Sequence, residues 1–123
     1  MEGDGEMKLV YVAGPYRGKS RNKLINKLQV IRNIIEARMV ARDLWKQGYA
    51  VICPHSNTAL FDGSVPDETV LKGDIEILSK CDLVVLIKNW YKSSGTKDEI
   101  EFAKYVGISV YEWDYKAGKI YLK

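Results

Sequence analysis

The segment Asp82–Ile87, DLVVLI, decides the fold class, because an unbroken run of leucine and β-branched residues suits a strand that is buried on both faces. Such strands belong to parallel sheets whose two sides are covered by helices. The chain of 123 residues should therefore build a single α/β domain around this strand.

Strand-like segments also lie on both sides of this one along the chain: Lys8–Ala13, Tyr49–Cys53 and Ile108–Tyr111. Gly14 and Pro15 follow the first of them and Pro54 follows the second, as breakers of regular structure do. A turn at Gly118 would return the chain as a short last strand over Lys119–Leu122. The sheet should therefore contain four to five strands.

Helix-like segments separate these strands. The longest, Arg21–Lys46, has apolar residues at offsets of four, three, four and four, which mark one side of an amphipathic helix: Leu24, Leu28, Ile31, Ile35 and Met39. A second helix should begin at Pro66 and carry a similar apolar side: Val70, Leu71, Ile75 and Leu78. A third should span Thr96–Val106. This alternation predicts an open, mainly parallel sheet with helices on both faces, as in flavodoxin-like and Rossmann-like folds.

Composition limits the classes of function. Hydrophobic residues make up 46% of the chain and charged residues 28%, an ordinary balance for a globular protein. We expect residues 1–6, which are acidic and glycine-rich, to be a flexible leader, and residues 7–123 to form the domain. A net charge of +3 without a continuous basic face argues against a nucleic-acid partner. Short apolar runs and the lack of an apolar signal region argue for a cytoplasmic protein without a membrane partner.

Metal and cofactor chemistry find little support in the sequence. Cys53 and Cys81 are the only cysteines, and His55 is the only histidine. A structural zinc site usually takes four cysteine or histidine ligands, and no CxxC pattern is present. We therefore expect two free thiols, no metal and no cofactor.

Ligands of open parallel sheets bind in the crevice outside the carboxyl ends of the strands. The first loop at this edge, Gly14–Ser20, reads GPYRGKS. Gly14 and Gly18 would let the backbone approach a ligand closely, and Arg17 beside a helix start favours an anion such as phosphate. The loop is neither a Walker A nor a GxGxxG motif, so a plain strand-to-helix turn with solvated basic residues is the alternative.

The second loop at this edge, Pro54–Val65, contains His55 and Asn57. Polar groups in such a loop can orient a ligand or stabilise the loop itself. We expect His55 and Asn57 to contact substrate, and a general acid/base role for His55 is the further alternative.

The third loop, Asn89–Thr96, leads into the third helix. Thr96 and Glu99 have the spacing of a capping box, in which the glutamate serves only the helix start. The same position places a carboxylate near the positive end of a helix at the ligand-binding edge. Glu99 is therefore either a capping residue or a nucleophile for attack on a sugar carbon.

Two further polar residues have both a structural and a catalytic interpretation. Asp74 precedes Ile75 in the second helix, at the border between its apolar and polar sides, and could look into a crevice. Tyr11 points to the opposite side of its strand from Val10 and Val12, and a buried tyrosine needs a partner for its hydroxyl. We expect Asp82, at the start of the central strand, to be a structural hydrogen-bond acceptor.

The order of these motifs resembles the nucleoside 2-deoxyribosyltransferase superfamily over roughly residues 8–111. The similarity rests on four motifs taken together: Tyr11-x-x-Gly14-x-x-Arg17-Gly18, the helix with Asp74, Cys81-Asp-Leu-Val-Val-Leu86 and Ser93-x-Gly95-x-x-x-Glu99. The nearest branch is that of the 2'-deoxynucleoside 5'-monophosphate N-glycosidases and their short phage and bacterial relatives.

The resemblance implies a role for each matching residue. Glu99 would attack the anomeric carbon, Asp74 would manage the proton on the departing base, and Tyr11 would hydrogen-bond the nucleophile. The 5'-phosphate would be held by the matching loop residues: Gly14, Arg17, Ser93 and Gly95. A covalent glycosyl-enzyme would then pass its sugar to water or to a second base.

The resemblance also implies a nucleotide or nucleoside as the small-molecule partner, and a homodimer or larger assembly. A non-catalytic nucleotide-binding or sensing module on the same fold is the competing hypothesis. The presence of Glu99, Asp74 and Tyr11 together favours the enzyme.

Overall fold

The described part of the protein, a computed structural model, comprises residues 7–16, 20–54 and 64–122. Within these ranges the chain forms five strands: β1 Leu9–Ala13, β2 Ala50–Ile52, β3 Leu83–Leu86, β4 Ser109–Asp114 and β5 Lys119–Leu122. It also forms three α-helices: α1 Lys23–Lys46, α2 Asp67–Leu78 and α3 Ser94–Val106. A 3₁₀ turn over Trp90–Lys92 precedes α3. The expected leader, residues 1–6, lies outside the described residues.

The five strands form one sheet in the order β2-β1-β3-β4-β5. β1 pairs in parallel with β2 and β3, β3 pairs in parallel with β4, and β5 returns antiparallel to β4. All four residues of β3 are buried, as expected of a strand covered on both sides. The predicted α/β domain with a mainly parallel sheet is confirmed.

Helices cover both faces of the sheet, because successive residues of each strand point to opposite sides. Val10 and Val12 pack in one apolar cluster with Leu44 of α1. Tyr11 lies in the other cluster, together with Leu78 of α2 and further residues of α3. The predicted orientation of Tyr11, opposite to its two valine neighbours, is therefore confirmed.

The predicted apolar side of α1 is wrong in its orientation. The five residues that define it are between 47% and 68% exposed: Leu24, Leu28, Ile31, Ile35 and Met39. The opposite side packs on the sheet, through Ala37, Val40 and Leu44, which are at most 2% exposed. Alanine at this contact lets the helix approach the strands closely, while the bulkier side chains point away. Leu71 of α2 is likewise 54% exposed, although it was expected on the apolar side.

Local differences from the predicted elements are small. β4 continues to Asp114, three residues beyond its predicted end, because it pairs with β5 over that length. Asp82 acts as the expected structural acceptor, since its Oδ2 receives a hydrogen bond of 2.7 Å from the Leu9 amide. Cys53 and Cys81, both in the described ranges, are free thiols as expected. No helix in the described part of the chain is long and apolar enough to cross a membrane.

Candidate functional site

The centre of the candidate site is a contact between β1 and α3. The Tyr11 hydroxyl donates a hydrogen bond of 2.5 Å to Oε2 of Glu99. Tyr11 is fully buried in the face of the sheet that α2 and α3 cover. Its ring therefore has one place to go, and its hydroxyl reaches the carboxylate from below the helix. This contact brings together two of the three residues that we expected to act on the sugar.

The start of α3 explains why Glu99 is free to meet Tyr11. Ser93 is the N-cap, and its Oγ accepts a hydrogen bond of 3.1 Å from the Thr96 amide. The predicted capping box between Thr96 and Glu99 is therefore wrong. Ser93 has extended backbone angles that suit an N-cap, while Thr96 lies at the third helical position and is 2% exposed. Glu99 consequently lies in the second turn, and its carboxylate points to β1.

Asp74 faces the same region from α2. It is half-buried, and burial raises its pKa to about 6. Its negative charge raises the pKa values of both Tyr11 and Glu99, which places the three groups in one electrostatic neighbourhood. Two carboxyl groups and a phenol thus converge from three different elements of the fold.

The electrostatics of Glu99 are finely balanced. Burial raises its pKa to about 7, the charges of Asp74 and Asp98 raise it as well, and the hydrogen bond from Tyr11 lowers it. Burial first, and then the negative charge of Glu99, raise the pKa of Tyr11, so the phenol stays a neutral donor. Glu99 therefore exchanges its proton near neutral pH, and the Tyr11 hydrogen bond favours its ionised form.

Gly14 opens the first loop at a point where a side chain would not fit. A Cβ at this position would lie 2.2 Å from Cγ1 of Ile87, which follows β3. Two residues later, the Tyr16 carbonyl accepts a hydrogen bond of 3.2 Å from the buried side chain of Asn33. The loop is thus fixed against both β3 and α1 before it reaches the described limit at residue 16.

Four of the expected binding residues fall outside the described part of the chain. Arg17 and Gly18 belong to residues 17–19, and His55 and Asn57 belong to residues 55–63. Their contacts with substrate stay predictions.

Ser93 and Gly95 are described, and they form the start of α3. The Ser93 hydroxyl accepts from Thr96 and still has its own proton to donate. Gly95 lies in the first turn, where backbone N–H groups have no partner within the helix. The nearest atom to a Cβ at Gly95 would be Ser93 Oγ, at 3.9 Å, so this turn is open around the glycine. The arrangement can accept an anion, as helix starts commonly do.

Sequence reasoning missed a polar cluster on the other face of the sheet, near the same edge. Glu36 of α1 forms an ion pair of 3.4 Å with Lys88, and the Tyr115 hydroxyl accepts a hydrogen bond of 3.1 Å from the Lys88 amide. Together with Pro15 and Asn33, among others, Glu36 and Lys88 line a cavity of about 60 Å³. Asn33 lies four residues before Ala37, on the side of α1 that packs on the sheet. Its position could have been found only by assigning that side correctly.

Comparison with known proteins gives one family and one described likeness of fold. The family model described as Domain of unknown function (DUF7768) matches residues 8–113. No curated protein matches the chain. A solved structure of the 2-deoxyribosyltransferase of the psychrotolerant bacterium Bacillus psychrosaccharolyticus is similar, with a TM-score of 0.60 and 19% sequence identity. The match covers 94% of this chain and 98% of that one, and it supports the fold predicted above.

Proposed function

The chain belongs to the family of the domain of unknown function DUF7768, and we propose that it cleaves the N-glycosidic bond of a nucleoside or nucleotide. The observation that carries this proposal is the hydrogen bond between Tyr11 and Glu99. A buried phenol that donates to a carboxylate fixes one oxygen of that carboxylate and leaves the other for attack. The likeness of fold to a 2-deoxyribosyltransferase supports the same class of reaction.

The first step is nucleophilic. The free oxygen of the ionised Glu99 carboxylate bonds to the anomeric carbon of the sugar as the bond to the base nitrogen breaks. The electron pair of the broken bond stays on the base. The Tyr11 hydroxyl keeps the carboxylate in place and favours its ionised form, which is the form that attacks.

The departing base needs a proton, and Asp74 is the group that supplies it. Burial raises the pKa of Asp74 to about 6, so it holds a proton at a higher pH than an exposed aspartate does. A carboxylic acid with such a pKa is suited to general acid catalysis near neutral pH. After the base leaves, Asp74 can take a proton back from the incoming water or base.

The covalent sugar then passes to an acceptor. Attack by water gives hydrolysis, and attack by a second base gives transfer and regenerates the Glu99 carboxylate in either case. Both outcomes use the same residues of this chain. The choice between them depends on the acceptor that the site admits.

A 5'-monophosphate is the substrate form that the loops favour. The phosphate would lie between the first loop, which carries Arg17, and the start of α3, where the Ser93 hydroxyl and the first backbone N–H groups can donate. Gly95 leaves room beside that turn. We further propose that the protein works as a homodimer or larger assembly.

The proposed reaction is tested by incubating the protein with a panel of ribo- and deoxyribonucleosides and their 5'-monophosphates. Base released over time is measured by chromatography, with substrate in buffer alone as the control. Release from at least one monophosphate is the expected result. Binding of nucleotides by calorimetry without release of base from any of them would overturn the proposal in favour of a non-catalytic nucleotide-binding module.

A further inference from the structure

The outward side of α1 is an apolar surface without a partner in the described part of the chain. We call this surface the outer face of α1 and define it by its five residues: Leu24, Leu28, Ile31, Ile35 and Met39. Each of them is about half exposed or more. Single exposed apolar residues are ordinary on protein surfaces, but a contiguous row of five on one helix marks an interaction site.

The same helix already buries its other side. Ala37, Val40 and Leu44 pack on the sheet, and they lie opposite the outer face around the helix axis. A helix that is apolar on both sides ordinarily lies between two packed layers. The sheet of this chain is one layer, and the outer face calls for a second.

We propose that the outer face of α1 binds the outer face of a second copy of this chain, and this inference does not rest on the proposed reaction. The offsets of four, three and four between Leu24 and Ile35 are those of helices that pack side by side. The partner should therefore present a helix with the same spacing. A second copy offers such a helix, and twofold symmetry places identical surfaces in contact.

Charge decides how the two helices run. Arg38 and Arg42 follow the apolar row on the same side of α1, near its C-terminal end, and both are exposed. A parallel pair would bring these cations of the two copies together. An antiparallel or crossed pair, with the twofold axis near Ile31, keeps them at opposite ends. We therefore place Ile31 of each copy next to Ile31 of the other.

The size of the surface sets the expected affinity. The apolar row spans about 22 Å along the helix, and a helix with its side chains is about 10–12 Å wide. This area is smaller than the roughly 800 Å² that each partner gives to a standard interface, but it has the apolar composition of an interface centre. Charged residues beside the row would form the rim. We expect a dimer with a dissociation constant of about 1–100 µM.

Sedimentation velocity over a concentration series tests the proposal. The wild-type chain should sediment as a dimer at about 300 µM and dissociate on dilution to about 1 µM. Ile31→Asp should weaken this association at least tenfold, because a carboxylate would be buried next to its own copy. Tyr105→Asp is the matched control, since Tyr105 is 90% exposed on α3 and lies outside the outer face. Far-ultraviolet circular dichroism checks that both variants are folded.

A cross-linking experiment tests the position of the axis. Ile31→Cys should form a covalent dimer under mild oxidation, whereas the wild type, with its thiols at Cys53 and Cys81, should not. A wild type that stays monomeric at about 300 µM overturns the proposal, as does a dimer that Ile31→Asp leaves unchanged. A monomeric chain that co-sediments with vesicles containing an anionic phospholipid would assign the outer face to a membrane surface instead.

Discussion

The hydroxyl of Tyr11 and Oε2 of Glu99 lie 2.5 Å apart, although 88 positions separate the two residues in the chain. β1 carries Tyr11 in the middle of the sheet, and α3 carries Glu99 one turn after its capped start. Both elements belong to the rigid framework rather than to a loop. The carboxylate is therefore held before any ligand arrives, which is what a nucleophile requires for efficient attack.

The Tyr11 hydrogen bond should set the pH at which Glu99 becomes active. In the wild type, the acidic limb of the pH profile of kcat/KM for base release should lie near pH 7, since burial raises the pKa of Glu99 to about 7. Tyr11→Phe removes the hydrogen bond that lowers this pKa, so the limb should move up by about one pH unit. Tyr105→Phe, at a residue 90% exposed on the same helix as Glu99, is the control and should leave the limb in place. An unchanged limb in Tyr11→Phe would contradict the role given to the phenol.

Burial of Glu99 should also make the stability of the fold depend on pH. Its pKa rises from 4.5 to about 7 on folding, so the folded state binds its proton more tightly than the unfolded state. The resulting stabilisation is fully present below pH 4.5 and is lost as the pH rises through 7. Relative to Glu99→Gln, the wild type should lose roughly 2–3 kcal/mol of unfolding free energy between pH 4.5 and 8. Urea denaturation of both proteins at a series of pH values measures this difference, and a difference that is constant with pH would refute the argument.

Much of the fold could be predicted from the sequence because the strands have strong local signals. The run over Asp82–Ile87 and the breakers after the other strands indicate a buried parallel sheet, and the structure has that sheet. The side of α1 that faces the sheet could not be predicted by the same means. Periodicity locates the rows of apolar residues, but Ala37 and Ala41 form a weaker row than the leucines and isoleucines opposite. Close packing against the sheet favours the small residues, and that preference is a tertiary effect.

The candidate site could be predicted in its residues but not in its contacts. Spacing alone gave Glu99 two roles, and the choice depends on whether Ser93 or Thr96 caps α3. Both side chains are able to cap a helix, so only the backbone angles at Ser93 decide. The pairing of Tyr11 with Glu99 depends on how α3 lies across the sheet, which no local pattern in the sequence specifies.

Gly14 should be required by its packing against Ile87. Gly14→Ala would place a Cβ 2.2 Å from Ile87 Cγ1, and relief of such a clash should cost about 1–3 kcal/mol of unfolding free energy. In an Ile87→Ala background, the same substitution should cost much less, because the clashing atom is absent. Gly73→Ala is the matched control, since no atom lies within 4 Å of a Cβ there, and in mid-helix it should stabilise by about 0.5–1 kcal/mol. Equal costs of Gly14→Ala in the two backgrounds would show that the contact with Ile87 is not the cause.

Arg17 should determine the preference for a phosphate. Hydrogen bonds to a charged group contribute about 1.5–3 kcal/mol each, so loss of one should lower the affinity for a monophosphate about tenfold or more. Arg17→Ala should therefore reduce kcat/KM for a 5'-monophosphate and leave that for the matched nucleoside nearly unchanged. Arg21→Ala, four residues further along and exposed, is the control. Equal kcat/KM values for nucleoside and monophosphate in the wild type would exclude a phosphate site in this loop.

The central claim, that Glu99 is the nucleophile, is tested most directly by the rate of base release in Glu99→Gln. The amide of glutamine can still accept the hydrogen bond from Tyr11, so the fold should persist while the attacking carboxylate is lost. We expect kcat/KM to fall about 10³-fold or more, as it does when a nucleophile is removed. Glu101→Gln, two residues further along α3 and exposed, should release base at the wild-type rate. A folded Glu99→Gln protein that releases base as fast as the wild type would contradict the covalent mechanism.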